Sequence, residues 1–259
     1  MIRLAACLLI LLTSCSPTAD VTLPDDAIAT KDLQSGSAFL TEETRALQED
    51  DFENPGLLWV ERGADLFVDT SASSKSCADC HDEQLKGVAA SYPQLDELSA
   101  ELVNLEKRIN LCRARHQDLP ELTYESDDLL ALTAYVANQS HGAPITVAVT
   151  EETRASYEAG EAYFYTPRGQ FNLACNQCHN ENWGKKLRGD TISQGHGNGF
   201  PAYRYEWQSF GSLHRRLHDC DTGVRAEPFT LGSQTYIDLE YYLAVRANGL
   251  PVESPAIRR

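Results

Sequence analysis

Two short stretches of this chain carry residue types spaced for one particular chemistry. Cys77-Ala78-Asp79-Cys80-His81 and Cys175-Asn176-Gln177-Cys178-His179 both read C-x-x-C-H. At that spacing two thiols one helical turn apart add across the vinyl groups of a haem, and the histidine that follows reaches the iron. A C-x-x-C pair alone also suits a zinc site or a redox dithiol. The adjoining histidine, present both times, favours haem. The expectation is two covalently bound haem c groups, held by Cys77, Cys80 and His81 and by Cys175, Cys178 and His179.

A low-spin iron held by histidine takes a second ligand on its other face, most often methionine in cytochromes c. The only methionine here is Met1, so each iron needs another residue or an open position. Cysteine and histidine, less often lysine, remain. Of eight cysteines, Cys7 lies in the signal, Cys15 directly follows it, and four belong to the haem motifs, which leaves Cys112 and Cys220. Each follows one motif, 31 residues after His81 and 41 after His179. Axial thiolate from both is the expectation, which makes the metal set His81, Cys112, His179 and Cys220. A Cys112–Cys220 disulfide, free buried thiols, or His116 on the first iron are the alternatives.

The elements that must position these groups repeat. Glu61 to Phe67 precedes the first motif much as Tyr157 to Phe164 precedes the second, with Gly63 and Gly160 at matching places. Both stretches are amphipathic at helical period. Leu132 to Ala137 follows Cys112 as Leu239 to Ala244 follows Cys220. Each unit reads as helix, C-x-x-C-H, irregular wrapping segment, ligand cysteine and closing helix, and a glycine lets first and last helices cross closely. The fold class expected is all-α, two cytochrome c-like haem domains in tandem, with few β signals. The divisions are residues 1–14 as signal peptide, 15–52 as acidic extension, 53–148 as the first haem domain and 149–259 as the second, which carries the active site. Residues 184–205, with five glycines and no clear period, read as a loop across the second haem.

Arg3, the apolar run Leu4 to Leu12 and Thr13-Ser14-Cys15 read as an export signal, which places the mature chain in the periplasm. Leu12-Thr13-Ser14-Cys15 also resembles a lipobox, with Cys15 the acylated residue and a lipid anchor the result. Ordinary cleavage nearby is the alternative. No interior run reaches the ~18 apolar residues of a membrane span. The net charge of −16 argues against nucleic acid, whose phosphates need a basic surface. Ten acidic residues against two basic ones between Asp20 and Glu53 read as a solvated linker rather than a docking surface.

The stretches Ile109 to Arg113, Gly195 to Arg204, Arg216-Leu217-His218-Asp219-Cys220, Arg225 to Phe229 and Gly232 to Pro251 resemble SoxA, the haem-bearing subunit family of the bacterial thiosulfate-oxidising SoxAX complexes. The resemblance spans about residues 30 to 259 and fits the two-haem form. It implies an L-cysteine S-thiosulfotransferase that joins thiosulfate oxidatively to a cysteine of a SoxYZ-type carrier. It also implies a small SoxX-type cytochrome c as heterodimer partner and a soluble cytochrome c as electron acceptor. By the same resemblance Cys220 ligates the active-site haem and can carry an extra sulfur, and Arg216 sits in the substrate pocket. The lipobox departs from the family's usual cleaved signal.

A dianion approaching a strongly acidic chain needs a local reversal of sign. Arg204, His214, Arg215, Arg216, His218 and Arg225 are expected to surround Cys220, against Glu206, Asp219 and Asp221. Arg216 lies one helical turn before Cys220, on the same face. Some of these arginines are equally suited to haem propionates. Lys185, Lys186 and Arg188 read as a solvated or partner-facing turn. Competing functions are a plain dihaem electron carrier without bond chemistry, a thiosulfate dehydrogenase forming tetrathionate and, further off, a dihaem peroxidase.

Overall fold

The computed structural model describes residues 21–81 and 85–259. The export signal and Cys15, with its acylation, lie outside the described residues.

After α1 (Glu42–Glu49), the first half runs α2 (Leu57–Val68), α3 (Ala78–His81), the ribbon β1 (Gln94–Asp96) and β2 (Glu101–Val103), α4 (Leu105–Cys112) and α5 (Asp127–Asn138). The second half runs α6 (Arg154–Tyr165), α7 (Cys175–His179), β3 (Lys186–Leu187), β4 (Asp190–Thr191), β5 (Ala202–Arg204), β6 (Ser209–Gly211), α8 (Leu213–Gly223), α9 (Gln234–Arg246) and β7 (Ala256–Arg258). Helices supply the frame, as the sequence predicts. The seven short strands among the described residues, unmarked by any period-2 pattern, lie in the wrapping segments and at the tail. Backbone groups of those segments are satisfied there by local pairing. Residues 184–205 thus hold three strands rather than one open loop: β3 pairs with β4, and β5 is flanked by antiparallel β6 and parallel β7.

The helix crossings are duplicated in detail. A Cβ on Gly63 would collide with the carbonyl of Ala131 and lie 2.7 Å from Cβ of Tyr135. A Cβ on Gly160 would collide with the carbonyl of Asp238 and lie 2.8 Å from Cβ of Tyr242. In both halves the glycine fits between residues i and i+4 of the closing helix. Burial on either side of the crossings builds two cores, one around Phe67, Leu105, Leu132 and Val136, the other around Tyr157, Phe164, Tyr236, Leu239 and Tyr242. The connection belongs to the second core: Ile145, Val147 and Val149 are buried in it, and Ile145 N–H donates to Leu250 O at 2.9 Å.

The described part of the acidic extension is not a solvated linker. Gln34 N–H donates to Gln194 Oε1 and Gln194 Nε2 donates to Asp32 O, both at 2.8 Å. Ser37 Oγ donates to Glu253 Oε1 at 2.6 Å, Tyr165 donates to Asp26 Oδ1 at 2.7 Å, and Gln48 on α1 accepts from Ile257 N–H of β7 at 3.1 Å. The segment is a strap over the second half, fastened by single polar side chains that composition does not reveal. Among the described residues no helix is long and apolar enough to cross a membrane.

Candidate functional site

In the first half, the turn carrying Cys77, Cys80 and His81 is nucleated reciprocally. Ser76 N–H donates to Asp79 Oδ2 at 2.7 Å, and Asp79 N–H donates to Ser76 Oγ at 3.2 Å. Donation from Ser76 N–H and Oγ holds the Asp79 carboxyl below its ordinary range. Cys112 is the last residue of α4, just before a wide π-turn, Arg113–Gln117. Its thiol is near enough to act electrostatically on Cys77 and to be acted on by Cys80. Burial pushes the thiols of Cys77 and Cys112 up, with Arg113 opposing at the first and Arg108 at the second. His116 is exposed on the π-turn.

In the second half, α7 carries both thiols and the histidine, and Ala174 N–H donates to Gln177 Oε1 at 2.8 Å at its start. His179 is half-buried, and the loss of hydration pushes its pKa down to about 4, so the ring is neutral. Its Nδ1 lies 2.8 Å from Ser193 O, an acceptor only, so Nδ1 carries the proton and Nε2 keeps its lone pair. Gly195, at φ +74°, stands flat against the ring. Cys220 on α8 acts on both Cys175 and Cys178, and burial pushes Cys175 up to about 12. These residues fit a haem c: two neighbouring thiols, a neutral imidazole with one nitrogen fixed and the other available, and a third thiol beside them. Cys112 and Cys220 are both free thiols, and each faces the motif of its own half.

The helices bearing those third thiols match residue for residue. Asn104 caps α4 by accepting from Lys107 N–H, and Ser212 caps α8 by accepting from Arg215 N–H. Counted from these caps, Arg108 matches Arg216 and Cys112 matches Cys220. Of the six cations expected around Cys220, helical geometry turns several elsewhere. His214 lies 3.0 Å from Glu240, Arg215 stacks on Trp207 and faces Glu125, and Arg225 stacks on Phe171. His218 stands 3.9 Å from Asp219. Arg204 and Arg216 remain. Arg204 is buried over the Trp207 ring, donates to Glu206 at 2.9 Å and has its charge close to Cys220. Arg216 acts on Arg204, Glu206 and His179, and among the described residues its guanidinium has no hydrogen bond or ion pair. It is the uncommitted donor beside Cys220. Lys185, Lys186 and Arg188 are exposed, as expected.

Several supports were not marked in the sequence. Asp221 accepts from Tyr163 at 2.6 Å and from Tyr236 at 2.8 Å, which ties α8 to α6 and α9 beside Cys220. Arg246 stacks on Phe164, donates to Asn180 Oδ1 at 2.6 Å and places its charge near His179. Between the halves lies a cavity of about 80 Å³ lined by Glu106 and Glu240. Burial and the charge of Glu240 push Glu106 up to about 8. The matching position on α8 is His214, whose Nδ1 accepts from Gly232 N–H at 3.0 Å.

The family described as SoxA/TsdA, cytochrome c domain, matches the chain twice, over residues 62–145 and 159–252. The chain is 39% identical over 230 residues to the L-cysteine S-thiosulfotransferase subunit SoxA of Pseudaminobacter salicylatoxidans, covering 87% of this chain and 80% of that one. Against the subunit of the same name in Rhodovulum sulfidophilum it is 37% identical over 231 residues, covering 88% and 80%. The crystal structure of SoxXA from P. pantotrophus superposes with a TM-score of 0.83 at 34% identity, over 87% of this chain and 86% of that chain.

Proposed function

The chain belongs to the SoxA family of cytochrome c proteins, and from that premise we propose that it is an L-cysteine S-thiosulfotransferase subunit, which joins thiosulfate to a cysteine of a carrier protein. The observation that carries this reading is Arg216, uncommitted and one turn ahead of Cys220. Its planar fork can donate two hydrogen bonds to sulfonate oxygens while staying charged. That grip aims the terminal sulfur of thiosulfate at the Cys220 sulfur. Cationic surroundings favour the thiolate form of a cysteine, which is both nucleophile and metal ligand.

In the overall reaction the carrier thiol loses its proton, a sulfur–sulfur bond forms to thiosulfate, and two electrons leave. Cys220 first bonds to the terminal sulfur, and the carrier thiolate then displaces it by attack on that sulfur. Haem c, when bound, supplies a one-electron acceptor beside the reacting thiolate. Cys175, Cys178, His179 and Cys220 would hold it in the second half. Cys77, Cys80, His81 and Cys112 would hold a second haem in the first half. The partners in this reading are a small cytochrome c subunit as heterodimer, a SoxYZ-type carrier and a soluble cytochrome c acceptor. The setting is the periplasm, with Cys15 lipid-anchored, and the finer fold assignment is two tandem all-α haem domains apart from the short ribbons.

The test supplies the holoprotein, with its small cytochrome subunit, with thiosulfate, an oxidant and a thiol carrier peptide. The expected product is the peptide S-thiosulfonate. Tetrathionate alone would make the protein a thiosulfate dehydrogenase, and haem reduction without any sulfur product would make it an electron carrier.

A further inference from the structure

Arg108 stands to Cys112 as Arg216 stands to Cys220, four residues ahead on a helix capped the same way. Arg108, unlike Arg216, is taken up by its neighbours, Tyr92 among them. Arg108 Nη1 donates to Asp96 Oδ1 at 2.6 Å, and Arg115, from the π-turn beyond Cys112, adds a bidentate pair to both Asp96 oxygens at 2.9 and 2.8 Å. Asp96 is 1% exposed, at the end of β1, with Ser99 N–H donating to it at 2.9 Å. Arg108, Arg115 and Asp96 all act on the Cys112 thiol. Arg113, the remaining cation nearby, acts on Cys77 instead. In the second half no carboxylate takes up Arg216, since Glu206 is engaged by Arg204.

We infer that Asp96 closes the first half to sulfur oxyanions: by occupying the guanidinium groups of Arg108 and Arg115, it denies Cys112 the anion clamp that Cys220 has in Arg216. A guanidinium paired with a buried carboxylate has its charge compensated and part of its fork taken, so it grips a dianion less well; Arg108 Nε is left without a partner. A carboxylate in the same spot also repels the incoming charge. The duplicated chain thus keeps two equivalent cysteine helices and confines substrate to one. This inference rests on the proposed thiosulfate chemistry for the identity of the anion, and on the Asp96 geometry alone for the asymmetry.

The test uses the holoprotein carrying Arg216→Gln, which disables the second-half clamp, and measures thiosulfate binding by calorimetry and by perturbation of the haem absorption. That background is expected to show no saturable site. Adding Asp96→Asn, which keeps an acceptor for Ser99, is expected to create one site with affinity raised about tenfold or more over the background. Should that variant fail to fold, Asp96→Asn with Arg115→Gln removes one charge of each sign and frees Arg108, and the same gain is expected. A further Arg108→Gln should abolish it. The inference is overturned if the background already binds thiosulfate beside Cys112, if folded Asp96 variants bind no better, or if the gain survives Arg108→Gln. Failure of the proposed function has a different signature: the unaltered protein would neither bind nor conjugate thiosulfate, while the gain on freeing Arg108 would still be read.

Discussion

Gly195 stands against the imidazole of His179: a Cβ there would lie 2.7 Å from Cγ of the ring and 3.0 Å from Nδ1. With φ at +74°, the backbone is also in the region that L side chains rarely adopt. Glycine therefore keeps Nδ1 on Ser193 O and fixes where Nε2 points. Gly195→Ala is expected to tilt the ring, weaken the iron–imidazole bond and lower stability by at least ~1 kcal/mol. Magnetic spectra of the second haem read the first effect and thermal unfolding the second. An unchanged spectrum would mean that the ring has room to move aside.

Arg216→Ala is expected to leave both C-x-x-C-H attachments intact and to lower kcat/KM for thiosulfate about 10- to 100-fold, the loss of one charge-assisted clamp. Arg216→Lys should recover little, because an ammonium lacks the fork. Steady-state kinetics at low thiosulfate, with haem content measured in parallel, decide it.

Sulfur chemistry should be confined to Cys220. After exposure to thiosulfate, the peptide bearing Cys220 is expected to show a thiol-labile mass increase, and the Cys112 peptide none. Cys220→Ala should abolish conjugation while the covalent haem at Cys175 and Cys178 remains. Cys112→Ala should alter the first haem's spectrum and slow turnover without abolishing it. Labile sulfur on Cys112 in the unaltered protein would reverse these roles.

Glu106 makes the junction between the halves sensitive to pH. Burial and the Glu240 charge raise its folded pKa to about 8, above the ordinary 4.5, so between those values the folded chain binds more protons than the unfolded one. Stability from this group is full below about pH 4.5 and falls as pH rises through 8, by an amount on the order of a few kcal/mol. The charges of Glu240, His214 and Glu125 act on it there. Glu106→Gln should flatten the dependence between pH 5 and 8, measured by denaturant unfolding.

The two cysteine motifs, the glycines of the helix crossings and the closing helices were legible because each is a local pattern: a fixed spacing, or a period of 3.6. Equally legible was Arg216 on the face of Cys220, since four residues make one turn. His214 and Arg225 were misplaced because proximity in sequence was read as proximity in space, whereas His214, six residues before Cys220, turns to Glu240. Asp96 gave no signal; its partners are 12 and 19 residues away, and nothing in a single sequence couples them. The Asp221 bonds to Tyr163 and Tyr236, and the meeting of Glu106 with Glu240, depend on the packing of whole helices. The strap between residues 21 and 52 was misread because its fastenings are isolated polar side chains inside an acidic, low-hydropathy stretch.

That strap also bears on where the protein can work. Asp26 accepts from Tyr165 on α6, and Asn180, just past the second motif, donates to the same carboxylate at 3.3 Å. Asp26 lies eleven positions after Cys15, a reach of at most ~40 Å when fully extended. With Cys15 acylated, the face of the second half that holds Asp26 would be kept within that distance of the bilayer. A carrier or electron acceptor would then meet the reacting cysteine in a thin layer next to the lipid, where tethering on one surface raises the encounter rate with any partner anchored on the same one.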